Sequence, residues 1–336
     1  MAETDQGSVA ARVPRTAMTA GVAWGGVGVL CFSGTAPATR VAAPAFGPET
    51  LTFARIVIAA LLAAGALTLT RDTARPARTD LPALARMGLG LAVGFPLLLA
   101  VAVERVPAAH GAVVVGLVPA ATAVLSVILT GERPPMLFWI GCAGGLAAVV
   151  SFAISQGGGS LRSADLWLLA AVASCAVGYV QGGRLAHRIG AIPSLCWAVI
   201  LLAPAALIGL TISIASRSFE HLDAGAWTGL VYAGVTSMFL GSIAWYRGLA
   251  AGGIARIGQL NLLQPLLAVA WSALLLKEHI GAAVPLTALA VLASMTLCVK
   301  ARDPAANPDR HHTTPGSDEA ARSPRTPLDG GHTRHP

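Results

Sequence analysis

Long apolar runs, each bounded by charge, proline or glycine, make up most of the sequence. A bilayer core about 30 Å thick requires roughly 20 apolar residues of helix, and the runs have this length. The alternating pattern of a membrane β-strand is missing, and a spanning segment must pair its own backbone polar groups, so we expect helices. The pattern predicts about ten transmembrane helices, near residues 20–39, 50–70, 83–103, 107–130, 134–155, 165–184, 193–215, 226–246, 254–276 and 280–299.

Composition supports an all-α polytopic membrane protein. The 336 residues are 55% hydrophobic and 12% charged, whereas a soluble domain carries roughly 25% charged residues. The net charge of +7 could favour nucleic acid. However, the cations lie at the ends of apolar runs and form no basic patch interleaved with aromatics. We therefore expect the lipid bilayer, and not nucleic acid, as the surroundings of this chain.

The positions of Lys and Arg predict the orientation. If the N-terminus is cytoplasmic, thirteen of these residues lie near helix ends on the inner side, leaving out Arg55 and the distal tail. Five lie on the outer side: Arg40, Arg105, Arg162, Arg217 and Lys277. By the positive-inside rule, both termini are cytoplasmic.

The two tails lie outside the apolar region. Residues 1–18 are interpreted as a retained cytoplasmic segment, because Glu3 and Asp5 precede its arginines and the basic start of a signal peptide is missing. Residues 303–336 are rich in proline and polar side chains, which predicts a disordered cytoplasmic tail.

A faint internal repeat divides the apolar region. "GLVPAATAVLSVILTGERP" (116–134) and "LLQPLLAVAWSALLLKEHI" (262–280) carry proline and glutamate at the same offsets. A shift of 146 residues pairs Pro119 with Pro265 and Glu132 with Glu278. Five helices per half place the second half in the membrane upside down, as in the inverted repeats of secondary transporters. The predicted five-helix units are 19–156 and 164–300.

These segments also carry a resemblance to a known family. The matching features are "FARIVIAALLA" (53–63), "GE" at 131–132, "KE" at 277–278 and "GGIARIGQLNLLQP" (252–265). Over about residues 20–300 the chain resembles EamA-type transporters of the drug/metabolite transporter superfamily. The resemblance implies a multi-pass protein of the cell inner (plasma) membrane. It also implies transport of a small solute such as an amino acid, nucleoside, sugar or drug, often outward.

Arg55 is the first candidate for substrate binding. It lies about six residues into the second predicted helix, roughly 9 Å of helix rise from the start. A charge at that depth is costly and often functional, since it can pair with an anionic group of a substrate. The alternative is that its long side chain snorkels to the outer interface.

Amide and aromatic side chains supply the other binding candidates. Gln259, Asn261 and Gln264 lie in the ninth predicted helix and either line a cavity or bond across helices. Tyr179 in the sixth helix and Trp24 in the first are further candidates. Trp245 and Tyr246, in contrast, are interpreted as members of the interfacial aromatic belt.

The remaining candidates concern motion and coupling. Pro119 and Pro265 predict hinges or cavity linings, because proline removes a helical hydrogen bond. Glu132 and Glu278 predict organised turns, either by pairing with a basic residue or by capping a helix. His110 begins the fourth predicted helix, where a titrating imidazole could couple transport to protons, although an interfacial histidine is the alternative.

Other chemistry finds little support in the sequence. There is no GxxxxGK[ST] motif, no carboxylate in the middle of a predicted span, and no catalytic or metal-ligand spacing on a helix face. We therefore expect no cofactor, no metal and no enzymatic activity, and a small-molecule substrate as the partner. A membrane-embedded enzyme, or a receptor or assembly subunit, is the alternative. A homodimer, the direction of transport and the coupling ion stay open.

Overall fold

The computed structural model describes residues 15–70, 75–130, 135–156, 162–217, 219, 222–252 and 258–302. Within these ranges all regular structure is helical, and no strand occurs. Helices satisfy the backbone N–H and C=O groups inside each segment, which apolar surroundings require. The helical class expected from the sequence is therefore confirmed.

The helices are described in two halves. The first contains α1 (Arg15–Ser33), α2 (Thr35–Phe46), α3 (Pro48–Thr70), α4 (Leu81–Gly88), α5 (Phe95–Val103), α6 (Ala108–Val115), α7 (Val118–Thr130) and α8 (Met136–Gln156). The second contains α9 (Ser163–Ile189), α10 (Ala191–Ala215), α11 (Ala224–Val231), α12 (Ser242–Gly252), α13 (Gln264–Leu276) and α14 (Ala283–Arg302).

Several helices join into stretches that could cross a bilayer. Seven stretches in the described residues are long and apolar enough, and three apolar helices are shorter: Met136–Phe152, Gln264–Leu276 and Ala283–Ser294. Large apolar side chains such as Leu61, Ile208 and Leu274 are more than 60% exposed on the bundle surface. A surface of this kind is stable in lipid and unstable in water. The chain is therefore a multi-pass membrane protein.

Two stretches predicted as continuous helices are divided in the structure. A turn at Gly116 and Leu117 separates α6 from α7. A 3₁₀-helix, Gly258–Leu263, leads into α13. Pro119 and Pro265 are each the second residue of the α-helix after the break. Proline is tolerated in a first turn, where no intrahelical acceptor awaits its missing N–H, so each α-helix restarts next to its proline.

Two wide-turn segments occupy corresponding places in the halves. A π-helix, Leu89–Gly94, joins α4 to α5. A second π-helix, Tyr232–Gly241, joins α11 to α12. Such turns often occur at functional sites because they shift side chains out of the regular helical register.

The principal packing partners lie in opposite halves. α1 packs along α12, α3 along α10, α4 and α5 along α9, α6 along α13, and α8 along α14. This set of contacts is unchanged when each helix is exchanged with its counterpart in the other half: α1–α2 with α9, α3 with α10, α4–α5 with α11–α12, α6–α7 with α13 and α8 with α14. The packing therefore has the form of a pseudo-twofold arrangement, with each half wound into the other.

Glycines bring the two halves into close contact. A Cβ added to Gly248 would lie 2.5 Å from the backbone nitrogen of Gly25, where α12 crosses α1. A Cβ added to Gly90 would lie 2.7 Å from the backbone nitrogen of Gly178, where the first π-helix crosses α9. Small residues permit this approach, and the resulting van der Waals packing stabilises helix pairs in lipid.

Candidate functional site

A cavity with a volume of about 120 Å³ lies between the two halves. Its wall is mainly apolar and is formed by side chains such as Phe32, Met87, Leu91, Phe95 and Met238. Both π-helices, both proline breaks and the junction of α1 with α2 contribute to it. The wall therefore combines the irregular backbone of the bundle with a few polar groups.

Arg55 projects from α3 into the wall of this cavity. Its side chain is 3% exposed, and its Nε has no hydrogen-bond partner in the described part of the chain. Among the described lining residues it is the single charged side chain. The structure thus places the guanidinium inside the bundle and not at the outer interface, where snorkelling would place it.

Hydroxyl groups beside the α1–α2 junction bond across the halves. Thr35 Oγ1 and Ser237 Oγ are 2.6 Å apart in a buried hydrogen bond. Trp271 Nε1 donates to Ser33 Oγ over 2.9 Å. Three of these residues, Ser33, Thr35 and Ser237, line the cavity; Ser33 was a weaker candidate from the sequence, and Thr35 and Ser237 were not selected. Lone hydroxyls in apolar runs give too weak a signal to identify them.

The amide candidates are only partly brought together. Asn261 and Gln264 both line the cavity, as does Tyr179 from α9. Oδ1 of Asn261 is buried without a hydrogen-bond partner among the described residues. Gln259 belongs to the 3₁₀-helix by its backbone, and its side chain lies outside the described residues.

The aromatic candidates are placed differently from the prediction. Trp245 is 9% exposed and lines the cavity together with Tyr246, so the belt interpretation of these two residues was wrong. Trp24 is 41% exposed, and its ring lies 5.3 Å from the Arg247 guanidinium carbon, away from the cavity wall. Met238, Ser242 and Trp245 all line the cavity, Met238 from the π-helix and the other two from α12.

Both proline candidates line the cavity, and each affects a carbonyl group next to it. Pro119 and Pro265 have no N–H, so they cannot donate to the carbonyls of Val115 and Asn261, four residues earlier. Val115 and Asn261 are themselves lining residues. Each break therefore leaves a carbonyl beside the cavity without its α-helical donor four residues on, although the 3₁₀-helix gives Asn261 a donor three residues on.

One end of the bundle is held by contacts between the halves; we call this the closed end and define it by Phe46, Ala108, Asp165 and Glu278. The Glu278 carboxylate accepts hydrogen bonds from the backbone N–H groups of Ala108 (2.9 Å) and Ala109 (3.1 Å). It thereby caps the first turn of α6, in the opposite half, where a negative charge is favourable. Its expected counterpart, Glu132, lies outside the described residues.

The backbone before Glu278 is adapted to this contact. Lys277 has φ of 53°, the single non-glycine residue with positive φ in the described part of the chain. This left-handed residue ends α13, as helix C-termini commonly do, and turns the chain toward α6. The Glu278 N–H donates to the Ser272 carbonyl over 3.3 Å, so the left-handed residue closes a Schellman-type cap of α13.

Other contacts join the halves at the closed end. His110 Nε2 and Asp165 Oδ1 are 2.7 Å apart, and both side chains are buried. Arg217 donates to the Pro44 carbonyl, and the ring of Phe46 lies 5.1 Å from that of Trp227. His110 lies outside the cavity wall and stays a candidate for proton coupling. The sequence shows no sign of a role for Asp165, because its partner is 55 residues away.

The cavity lies between the closed end and the opposite end of the bundle. Its lining residues on α10, Leu195 to Val199, and on α13, Gln264 to Ala268, lie in the first half of each helix. The C-terminal ends of α10 and α13 are the ones that lie toward the closed end. The closed end thus carries several polar contacts between the halves, and the cavity is displaced from it. At the opposite end the half-exposed Arg188 on α9 forms an ion pair of 2.8 Å with Asp80, just before α4.

Fold and site together define a polytopic helical membrane protein with a central cavity between two entwined halves. The model of the EamA-like transporter family matches residues 19–154 and again residues 162–299. The chain therefore belongs to the EamA-like transporter family and carries two copies of its repeat. It is a membrane transporter, and its family indicates a transporter rather than an enzyme.

Similar proteins support this assignment. The uncharacterized transporter YdeK of Bacillus subtilis (strain 168) is 41% identical over 277 residues, which cover 82% of this chain and 94% of that protein. A probable terminal-alkyne amino-acid exporter of Streptantibioticus cattleyicolor is 27% identical over 241 residues, covering 68% and 75%. A crystal structure that is 19% identical matches 83% of this chain and 97% of its own, with a TM-score of 0.58. At that identity it shows a shared fold alone.

Proposed function

We propose that this chain is a secondary transporter that exports a small organic metabolite by alternating access. The proposed transporter consists of ten transmembrane helices in two inverted five-helix repeats, and the substrate binds in the central cavity. The pseudo-twofold packing supports this architecture, because exchanging the halves would exchange an inward-facing state for an outward-facing one. No ATP site is part of the proposal.

One observation carries it: Glu278, Asp165 and Arg217 join the halves at one end, whereas the described ion pair at the other end is that of Arg188 with Asp80, and the cavity lies toward that end. A transporter working by alternating access holds one side shut while the other admits substrate. The contacts of Glu278 and Asp165 with the opposite half must break for the closed end to open. Because these contacts are few, the energy needed to break them is small.

The sidedness follows from charge. Arg105, Arg162, Arg217 and Lys277, four of the five cations predicted on the outer side, lie around the closed end. We assign this end to the outside of the cell membrane and both termini to the cytoplasm. The described state is then inward-facing, ready to take solute from the cytoplasm. The similarity to a protein described as an exporter agrees with this direction.

Transport itself is tested by counterflow in proteoliposomes. The purified full chain is reconstituted and preloaded in turn with amino acids, nucleosides, sugars and cationic drugs, and uptake of the same labelled solute is followed. We expect transient accumulation of one solute class. Protein that is folded by thermal unfolding and yet moves no solute in the panel would contradict the proposal.

Alternating access is tested at Glu278. Removing a helix-capping side chain costs about 1–2 kcal/mol, so Glu278→Ala should shift the equilibrium toward the outward-open state by about five- to thirtyfold. Cys175 lines the cavity and serves as the reporter in a variant whose other cysteines are alanine. An impermeant thiol reagent applied from outside should label Cys175 faster in Glu278→Ala.

The matched control is Glu49→Ala. Glu49 is exposed in the first turn of α3, near the same end, and forms no hydrogen bond or ion pair with the opposite half among the described residues. It should leave labelling of Cys175 unchanged. Equal labelling of Cys175 in Glu278→Ala and in the parent would show that the carboxylate does not hold the closed end.

A further inference from the structure

We propose that His110 and Asp165 form a latch at the closed end that responds to the pH outside the cell. A proton taken up by His110 from the outer solution strengthens the bond between the halves and keeps this end shut. The proton stays at the latch and is not carried across the membrane. The inference rests on the alternating access and the sidedness proposed above, and it concerns two side chains outside the substrate cavity.

The latch joins the two halves directly. His110 lies in the first turn of α6, and Asp165 lies in the first turn of α9. Nε2 of His110 and Oδ1 of Asp165 are 2.7 Å apart, and both side chains are buried. The other carboxylate oxygen of Asp165 accepts a hydrogen bond from the backbone N–H of Arg162 over 2.8 Å. Because this second bond holds the carboxylate in place, a change of charge on the imidazole acts on the contact between the halves.

The nearest surroundings of His110 are apolar or negatively charged. The centre of its ring lies 4.9 Å from that of Phe152 on α8, a helix without a charged residue. At the same turn of α6, the Glu278 carboxylate accepts hydrogen bonds from the backbone N–H groups of Ala108 and Ala109. The second half thus presents two carboxylates, those of Asp165 and Glu278, to the turn that contains His110.

The other charged groups on the elements packed against α6 bond to backbone or lie at helix ends. These elements are α2, α5, α9, α13 and α14. The guanidinium of Arg40 on α2 donates to the Val103 carbonyl, and that of Arg105 donates to the Val101 carbonyl. The others are Glu104, Arg162, Lys277 and His279 at the closed end and the basic residues near the C-terminal ends of α9 and α14 at the opposite end. A proton on His110 therefore places a positive charge directly against the Asp165 carboxylate.

The charge on His110 sets the strength of the latch. A hydrogen bond between charged groups is about twice as strong as one between neutral groups, and burial strengthens the attraction further. At acidic outside pH the imidazole carries its proton, and the closed end is most stable. As the outside pH rises and the proton leaves, this stabilisation is lost and the outward-open state becomes more populated.

The position of the latch decides from which side the proton comes. The pair lies at the closed end, which was assigned above to the outside, and neither residue lines the cavity. No Asp, Glu or His is among the described residues of the cavity wall, so no relay of such groups leads from the latch into the cavity. Opening of the closed end separates the pair and brings the imidazole into contact with the outer solution. This arrangement suits a sensor of outside pH and not a proton carrier.

The latch is tested by thiol labelling at controlled pH. Right-side-out membrane vesicles contain the full chain with Cys175 as the reporter and the other cysteines replaced by alanine, and an impermeant thiol reagent is added outside. The outer pH is varied between about 5 and 8, the range in which histidine changes charge, at constant inner pH. His110→Gln keeps an N–H donor but takes up no proton, so its rate corrects for the pH dependence of the thiol reaction itself.

The expected result is a pH-dependent ratio of the two labelling rates. At the acidic limit the parent should be labelled about fivefold more slowly than His110→Gln, since it alone has the bond between two charged groups. At the alkaline limit the two rates should be similar. A ratio that is constant over the whole pH range would overturn the latch. A change in the rate of the parent when the inner pH alone is varied would overturn sensing from the outside.

Two further variants test the assignment to this pair. His279→Gln is the matched control, because His279 is exposed at the same end and should leave the pH dependence of the parent unchanged. Asp165→Asn removes the carboxylate and should abolish the pH dependence as His110→Gln does. Thermal unfolding verifies that each variant is folded. Retention of the parent's pH dependence in folded Asp165→Asn would contradict the latch even if His110→Gln fails to fold.

The outcomes also separate the latch from the proposed transport. If Glu278→Ala speeds labelling while His110→Gln follows the parent at every pH, the latch is wrong and alternating access stands. If neither Glu278→Ala nor the outer pH changes labelling beyond the thiol reaction itself, both are wrong. If labelling responds to His110 as expected while no solute accumulates in counterflow, the latch stands and transport is wrong.

Discussion

The two halves share a helix break followed by a proline but differ in the side chains beside that break. In the first half, the break between α6 and α7 is followed by Pro119, and in the second the 3₁₀-helix is followed by Pro265. Both breaks line the cavity. Yet the positions that hold Asn261 and Gln264 in the second half hold Val115 and Val118 in the first, 146 residues earlier.

This difference distinguishes the structural requirement of the motion from that of substrate binding. Matched breaks suit a motion in which the halves exchange roles, since each half then needs a comparable hinge. A small solute has no twofold symmetry of its own, so its polar groups require partners on one side of the cavity and not on the other. We infer that the backbone retained the symmetry of the motion while the lining side chains adapted to the substrate.

We expect the largest effect on transport when the break in the second half is given the side chains of the break in the first. In Asn261→Val with Gln264→Val, two cavity amides are lost, at about 1 kcal/mol for each hydrogen bond. We expect the rate of counterflow to fall by about thirtyfold, with the thermal unfolding temperature nearly unchanged because both sites face a cavity.

The control for this double variant is Thr287→Val. Thr287 lies on α14 outside the cavity wall, and its hydroxyl bonds to the Ala283 carbonyl of its own helix. It should leave the rate unchanged. A rate within twofold of the parent for the double valine variant would show that the asymmetry of the two breaks has no role in transport.

The prolines sharpen the comparison at the level of the backbone. Alanine at either position restores an N–H and lets the helix continue through the break. We expect Pro119→Ala and Pro265→Ala each to slow counterflow about threefold, since each variant replaces a break with continuous helix. Pro204→Ala, on an exposed face of α10, is the matched control and should have no effect. Faster transport in either cavity variant would argue against a hinge.

The smallest expected effect is a change in stability from substitutions at Lys277, in the turn that precedes Glu278. The position corresponding to Lys277 in the first half is Gly131. Because Lys277 has φ of 53°, Lys277→Gly relieves strain, and we expect the free energy of unfolding to rise by up to about 1 kcal/mol. Lys277→Val should lower it by at least as much. Chemical denaturation in detergent measures both, and a large loss of stability for glycine would show that strain is not stored there.

Much of the fold could be predicted from the sequence because lipid imposes a simple rule. Apolar runs of the right length must become helices, and the spacing of Pro119 and Pro265 was enough to predict a repeat. The family resemblance rested on the same segments. Arg55, Asn261 and Gln264 stood out because polar side chains are rare inside such runs, and the structure places all three at one cavity.

The remaining features depend on contacts between residues far apart in sequence. The bond from Ala108 to Glu278 spans 170 residues, and Thr35 meets Ser237 across 202. No local pattern records such pairs. The inward position of Trp245 was missed for a related reason: nearness to a helix end suggested an interface, whereas packing against α1 directs the ring inward.

The entwined packing of the two halves also bears on how the protein is made. Helices α1 to α8 leave the ribosome and enter the membrane before their principal partners, α9 to α14, have been synthesised. Until then the crossing surfaces around Gly25 and Gly90 face lipid or a membrane-insertion factor. Assembly is thus a late, chain-length-dependent event, and the nascent first half is an insertion intermediate whose lifetime is set by the speed of translation.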